Sequence, residues 1–130
     1  MIQNEILLET ETLENGVELN LYDASRKVAG ERWQVVLIVR ARVPVTEALC
    51  RQCRPADTEE IRALLGESQL WEQKRERNFI DEKEKEAVLA AMRESFSGTI
   101  RSYVAHPEFA VRLIARRCQD LAKRQRQGII

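Results

Sequence analysis

Aromatic residues, cysteine and histidine are all scarce in this sequence, and long apolar runs are missing. No stretch approaches the roughly 20 apolar residues that a membrane-spanning helix needs, so no membrane partner is expected. The first residues also lack the basic region and apolar core of a secretion signal. Three cysteines in such a chain indicate reduced thiols rather than disulfides, which predicts a cytoplasmic location.

Motifs of catalytic and cofactor-binding sites are missing as well. The single histidine, His106, is the only candidate base for a hydrolase-type arrangement, and no pattern places a nucleophile beside it. The glycines are isolated from one another, so no phosphate-binding loop is present, and no H-E-x-x-H or paired acidic metal motif occurs. We therefore predict no catalytic residue, no cofactor and no enzymatic activity.

Charge is balanced overall but unevenly distributed. Lys and Arg together number 21, as do Asp and Glu, which disfavours a dedicated nucleic-acid binder. Residues 1–23 contain six acids and no Lys or Arg, whereas residues 93–130 contain eight basic residues against three acidic ones. The two ends of the chain are thus opposite in sign. A length of 130 residues, with 44% hydrophobic and 32% charged residues, predicts a single domain over 1–130.

The strongest local pattern is a β-hairpin over residues 4–23. Asn15 and Gly16 can both adopt positive φ, which predicts a two-residue turn and places Thr12 opposite Leu19. One face would then carry Ile6, Leu8, Val17, Leu19 and Leu21, and the other face would carry most of Glu9, Glu11, Glu18, Asn20 and Tyr22.

A third strand is predicted over residues 33–45, after a connection with no predicted structure. Its alternate residues form a wholly apolar face, made of Trp33, Val35, Leu37, Val39, Ala41, Val43 and Val45. The other face begins with Val36 and Ile38, so part of it should also be covered. Pro44 has no amide hydrogen, which indicates an edge position or the end of the strand.

Residues 67–79 are ambiguous between helix and strand. Their Glu, Gln, Lys and Arg favour a helix, but alternate residues from Trp71 to Phe79 would share one face of a strand. We favour a strand over 69–79, because a new helix start follows it. A short helix should precede it, since Asp57 and Glu60 form a capping box and a glycine stands where the helix would end.

Two amphipathic helices are predicted, over about 82–105 and 107–126. Asp81 and Glu84 form a capping box for the first, and Pro107 separates the two. The apolar arc of the first helix contains Val88, Leu89, Met92, Phe96, Ile100, Tyr103 and Val104. An imidazole at the junction could cap the second helix.

These elements predict an α+β fold. Its sheet would be an antiparallel meander of three or four strands, formed by the hairpin 4–23, the strand 33–45 and the favoured strand 69–79. The two C-terminal helices, 82–105 and 107–126, would pack against its apolar face.

Cys50 and Cys53 form a C-x-x-C, which raises the question of a metal or redox site. Zinc needs two further ligands, usually a second close pair, and only His106 and Cys118 remain. A redox site needs its first cysteine at a helix N-terminus, and Pro55 follows too closely for that. We therefore interpret the two thiols as packing residues at the exit from the third strand, with a short helix ending at Cys53 as the alternative.

Two surfaces are candidates for binding a partner. On the last helix, one narrow stripe contains Arg112, Arg116, Gln119, Lys123 and Arg126, which we interpret first as a solvated face and second as a surface for an anionic partner. On the strand 69–79, one face combines Trp71 with Arg75 and Arg77, residue types that are common at interfaces. Against this, Trp71 and Phe79 could be core residues with arginines that extend past them, which is the interpretation we favour.

The leading hypothesis is a small intracellular interaction or structural protein that binds an unknown protein partner or self-associates as a homo-oligomer. Its contacts would use the charged ends of the chain and the apolar pair Val36 and Ile38. Nucleic acid bound by the basic stripe is the weaker alternative, because no aromatic residues are interleaved with that stripe. A thiol or zinc protein that uses Cys50 and Cys53 is the third hypothesis.

Overall fold

The computed structural model describes residues 5–52 and 58–126. The strands in this part of the chain are β1 (Ile6–Thr12), β2 (Glu18–Asp23), β3 (Arg26–Ala29), β4 (Arg32–Pro44) and β5 (Ser68–Asp81). The helices are α1 (Glu47–Gln52), α2 (Thr58–Leu65), α3 (Lys85–Ala105) and α4 (Phe109–Arg126). The predicted α+β class is therefore confirmed.

The strands form one antiparallel sheet with β4 at its centre. β5 pairs with β4 along its whole length, and β2 and β3 share the other edge of β4, with β1 outside β2. The meander and the favoured fourth strand are thus confirmed. β3 was not predicted. Between β2 and β3, Ser25 interrupts this edge of the sheet, and Val36 N donates to Ser25 Oγ at 3.0 Å instead of to a backbone carbonyl.

The apolar face of β4 forms the centre of the core, as predicted. Its residues from Val35 to Val45 at alternate positions are at most 1% exposed, and α3 and α4 cover them. Trp33 anchors the start of α3, because its Nε1 donates to Glu82 at 3.0 Å and Lys85 Nζ lies 3.6 Å from its ring centroid. On the opposite face, Val36 and Ile38 are also buried.

The hairpin turn differs from the prediction. Gly16 has a φ of 85°, but Asn15 does not adopt positive φ. Gly16 N donates to Leu13 O at 3.0 Å and Leu13 N donates to Val17 O at 2.9 Å, so the loop contains three residues instead of two. The register therefore shifts by one, and Leu19 lies opposite Glu11, not opposite Thr12.

This shift places two acidic residues on the helix-covered face of the sheet. Glu9 lies opposite Leu21 and Glu11 opposite Leu19, although both acids were expected on the other face. A bulge at Leu8 lets that side chain pack on the core as well, whereas Ile6 is 60% exposed and does not join the core face.

The helices α3 and α4 confirm the predicted pair. Their junction is also as expected, since Glu108 N donates to His106 Nδ1 at 3.1 Å and the imidazole caps α4. The capping box at the start of α3 is wrong. Asp81 is still part of β5, its carboxylate accepts a hydrogen bond from Lys83 N at 2.9 Å, and the helix begins only at Lys85. Asp57 lies outside the described residues.

The expected burial of two aromatic side chains is also wrong. Phe79 is 74% exposed, because a bulge in β5 places Ile80 opposite Trp33 and leaves Phe79 with a φ of 55°. Tyr103, at the margin of the α3 arc, is 60% exposed. Trp71, by contrast, is half-buried against the core.

Candidate functional site

One side of β5 remains uncovered by the helices. Leu37, Val39 and Ala41 are buried beneath α3 and α4, and the β5 residues opposite them are Arg75, Gln73 and Trp71. These side chains, and that of Arg77, therefore point to the helix side of the sheet. Arg75 and Arg77 are nevertheless exposed, because α3 crosses mainly above β4.

A depression of about 460 Å³ separates β5 from α3. Its β5 side is formed by Lys74, Arg75, Glu76 and Arg77, and Val88, Met92 and Phe96 contribute apolar surface from α3. Met92 and Phe96 are themselves 8% and 4% exposed, so they present only the outer part of the core.

Three aromatic rings meet where β5, α3 and α4 converge. Trp71 lies 6.0 Å from Tyr103 and 5.6 Å from Phe109, and the last two rings are 5.4 Å apart, all measured between centroids. A cavity of about 500 Å³ beside them is also lined by Arg112, Arg116 and Asp120. Aromatic and guanidinium groups are thus adjacent at this junction.

A third depression, of about 410 Å³, adjoins the other two, because it shares Trp71 and Tyr103 with the junction and Arg75 with the depression between β5 and α3. We call the whole surface the β5–helix groove; it runs from Arg77 at one end to Arg116 at the other.

Several guanidinium groups in this groove have no acidic partner among the described residues. Within residues 5–52 and 58–126, no carboxylate lies within 4.0 Å of Arg75, Arg77 or Arg116. Arg112 pairs with Glu108 on its own helix at 3.1 Å. Arg117 is held differently, since it donates to Gln69 Oε1 at 2.6 Å and to the Leu70 carbonyl at 3.1 Å.

Three acids of the N-terminal segment, in contrast, are paired with arginines of the same chain. Arg93 donates to Glu9 at 3.1 Å and Arg101 forms a two-point ion pair with Glu11, which lowers the pKa of that carboxyl. Arg40 in the same way lowers the pKa of Glu5, through hydrogen bonds of 2.8 Å. The opposite charges of the two chain ends therefore meet inside one molecule.

The structure regroups the residues of the two candidate partner surfaces. It brings together Trp71, Arg75, Arg77, Arg112 and Arg116 along one groove, although they came from two candidate surfaces. Lys123 is exposed on α4 and lines none of the three depressions, and the side chain of Arg126 lies outside the described part.

Sequence reasoning missed the aromatic residues that α3 and α4 contribute to the groove. Tyr103 had been placed in the core arc, and the burial of Phe109 beneath it depends on the turn between the helices. A marginal position in the arc was the only signal, and it concerned Tyr103 alone.

The apolar pair Val36 and Ile38 does not form the partner surface that we expected. The two side chains are 3% and 4% exposed and pack with Ala24 and Tyr22 on the outer face of the sheet. Because this chain already buries them, no partner is needed to cover them.

The thiols do not form a described site. Cys50 lies in α1 and not at a strand exit; it is 1% exposed, and burial raises the pKa of its thiol. Cys118 is a half-buried free thiol whose pKa burial also raises, and Cys53 lies outside the described residues. In the described segments, no three His, Cys, Asp or Glu residues are placed to hold a metal ion.

The chain matches no protein-family model, no curated protein and no solved structure. Among the helices of the described residues, none combines the length and the apolar character that crossing a membrane requires.

Proposed function

We propose that this chain is a non-enzymatic interaction module that binds an acidic segment of a partner protein in the β5–helix groove. The observation that supports this most is the set of three arginines, Arg75, Arg77 and Arg116, that lack a carboxylate partner among the described residues. A guanidinium presents a rigid fork of donors that matches a carboxylate. The free thiols of Cys50 and Cys118 are consistent with the cytoplasm as its location.

The use of arginine elsewhere in the fold makes this groove distinctive. On the hairpin side, Arg40, Arg93 and Arg101 each pair with an acid of β1 or the residue before it. The groove side has the same kind of cation, but no carboxylate of the described residues lies within 4.0 Å of Arg75, Arg77 or Arg116. An acidic partner would supply the carboxylates that the chain itself supplies on the hairpin side.

The aromatic residues favour a protein partner with apolar side chains beside its acids. Trp, Tyr and Arg are the residues that most often dominate the energy of protein interfaces. Trp71 is half-buried and Tyr103 is 60% exposed, so both have surface left to contact a ligand. A second copy of this chain suits the groove less well, because its acids Glu5, Glu9 and Glu11 are already paired with arginines of the same molecule.

The proposal is tested with a short poly-glutamate peptide as the probe. Reversing two charges in Arg75→Glu/Arg77→Glu should weaken binding about tenfold or more, since both attraction and direct pairing are lost. The matched control is Arg62→Glu/Lys123→Glu, which changes the net charge equally at exposed positions outside the groove. Equal weakening by both variants, or no binding to the wild type, would contradict a specific acidic site.

Single-stranded nucleic acid is the second candidate, and one observation favours it. The groove places Trp71 and Tyr103 beside Arg112 and Arg116, which gives the basic helix the aromatic neighbours that its own sequence lacks. An oligonucleotide should then bind with an affinity that falls steeply as salt is raised. Oligonucleotide binding without poly-glutamate binding would replace the first proposal with this one.

A further inference from the structure

The open edge of β5 gives the groove a second set of binding groups, namely backbone N–H and C=O groups. Val36 uses both its N–H and its C=O on the β2–β3 side of β4, through Ser25 Oγ and Ala24 N at 3.0 Å each. Successive residues of a strand direct their backbone N–H and C=O groups to opposite sides. Leu37 and Val39 must therefore direct these groups to β5. Their partners Arg75 and Gln73 are therefore the residues that bond to β4.

The residues between them have backbone groups that point away from β4. These residues are Glu72, Lys74 and Glu76, and in the described part of the chain no other strand pairs with β5 there. The Leu70 carbonyl, two positions earlier in the same alternation, points outward too and accepts the hydrogen bond from Arg117. The helix α4 thus closes the edge at Leu70 and leaves the stretch after it open.

This edge borders the groove. A strand added beside Glu72 to Glu76 would place alternate side chains on the helix side, next to Arg75 and Arg77, which line the depression between β5 and α3. Acidic side chains at these positions would therefore lie beside guanidinium groups.

We propose that the acidic partner segment binds as an added antiparallel β-strand on the open edge of β5. This inference depends on the proposed function and specifies how the same groove is occupied. Strand addition uses main-chain hydrogen bonds for affinity and alternate side chains for specificity. The antiparallel direction follows the pairing of every strand in this sheet.

The register predicts the sequence of that segment. Residues opposite Arg77 and Arg75 form non-hydrogen-bonded pairs, in which the side chains are closest, so acidic residues fit at positions i and i+2. The next helix-side position, opposite Gln73, lies near Ile100 and Tyr103 and fits an apolar residue at i+4. The pattern is therefore acid-x-acid-x-apolar.

A second copy of the chain is a weaker occupant than a separate partner. The pattern does occur in this chain, as Glu9, Glu11 and Leu13. In the fold, however, Leu13 is 5% exposed and both acids are bound to α3. Pairing between two β5 edges would bring Arg75 and Arg77 of both copies together on the helix side, where like charges opposite each other are destabilising.

The test compares two methylated forms of one fluorescent peptide that carries the acid-x-acid-x-apolar pattern. N-methylation of the x residues removes the amides that would donate to Lys74 and Glu76, and binding should weaken at least about tenfold. N-methylation of the two acidic residues places the same methyl groups on the far edge, and binding should be retained. Equal affinities of the two methylated peptides would overturn strand addition, while poly-glutamate binding could still support the proposed function.

A protein variant provides the complementary measurement. Lys74→Pro removes one outward N–H without removing a bond to β4, so the fold should survive, as urea unfolding can verify. It should bind the unmethylated peptide about tenfold or more weakly than Lys74→Ala, which loses the same side chain but keeps the amide. Equal binding by two folded variants would contradict the proposal. Oligonucleotide binding with no peptide binding would contradict it as well, together with the proposed function.

Discussion

The side-chain amide of Asn15, in the hairpin turn, donates a hydrogen bond of 2.8 Å to the carbonyl of Val104 near the end of α3. The same Nδ2 donates to the His106 carbonyl at 3.2 Å, and Asn15 Oδ1 accepts from Val17 N at 3.2 Å. Carbonyls in the last turn of a helix have no partner within the helix, so Asn15 satisfies that of Val104, whereas the His106 carbonyl also accepts from Phe109 N. This contact joins the first hairpin to the junction between the last two helices.

Replacing Asn15 should therefore destabilise the whole fold. We expect Asn15→Ala to lower the free energy of unfolding by about 1–2 kcal/mol, because the partly buried Val104 carbonyl loses its donor. Urea unfolding followed by circular dichroism measures the change. Glu14→Ala, at the neighbouring exposed position of the same turn, should stay within about 0.5 kcal/mol of the wild type. Similar losses in both variants would assign the effect to the turn itself.

The ion pair between Glu11 and Arg101 should make stability depend on pH. Hydrogen bonds from Arg101 hold the pKa of Glu11 below its ordinary value of 4.5. Because the folded-state pKa is the lower one, the pair stabilises the fold above pH 4.5 and loses this effect as pH falls through the folded-state pKa. The wild type should be more stable than Glu11→Gln at neutral pH, and the two should converge on acidification.

The same urea titrations, repeated on Glu14→Gln, give the control for that comparison. Glu14 is exposed and has no ion pair among the described residues, so its variant should follow the wild-type pH profile. A constant difference between Glu11→Gln and the wild type at every pH would exclude the ion pair as the cause.

Replacing Phe79 with glycine should stabilise the fold. Its φ of 55° lies in the left-handed region, which costs an L-residue about 1–2 kcal/mol. The ring is 74% exposed, so little burial is lost with it. We expect Phe79→Gly to raise the free energy of unfolding by about 0.5 kcal/mol after the entropic cost of glycine, as measured by urea unfolding. Phe79→Ala keeps a Cβ and should give no gain; an equal gain would point to the exposed ring instead.

The elements that could be predicted from the sequence are those whose pattern is local. The alternation along β4 and the arc of α3 each depend on residues only a few positions apart, and both were found with boundaries close to those observed. The register of the hairpin failed for the opposite reason. Asn15 has a partner 89 residues away, at Val104, and forms a three-residue turn with only Gly16 in the left-handed region.

The groove could not be predicted from local patterns either. Trp71, Arg75 and Arg116 could each be singled out by residue type and face. Their common surface could not, because it depends on α3 crossing above β4 and on α4 returning to the start of β5. Similarly, acids at Glu9 and Glu11 were assigned to the wrong face by a one-residue error in register.

The two described thiols should react slowly in the folded protein. Cys50 is 1% exposed, and burial raises the pKa of its thiol and of the Cys118 thiol, so the reactive thiolate is scarce at neutral pH. In a Cys53→Ser variant, an aromatic disulfide reagent should modify these two thiols at least about tenfold more slowly in buffer than in denaturant. If one thiol reacts as fast as in denaturant, the additional substitution Cys118→Ser identifies it. Loss of the fast phase would assign this phase to Cys118. Persistence of the fast phase would contradict the burial of Cys50.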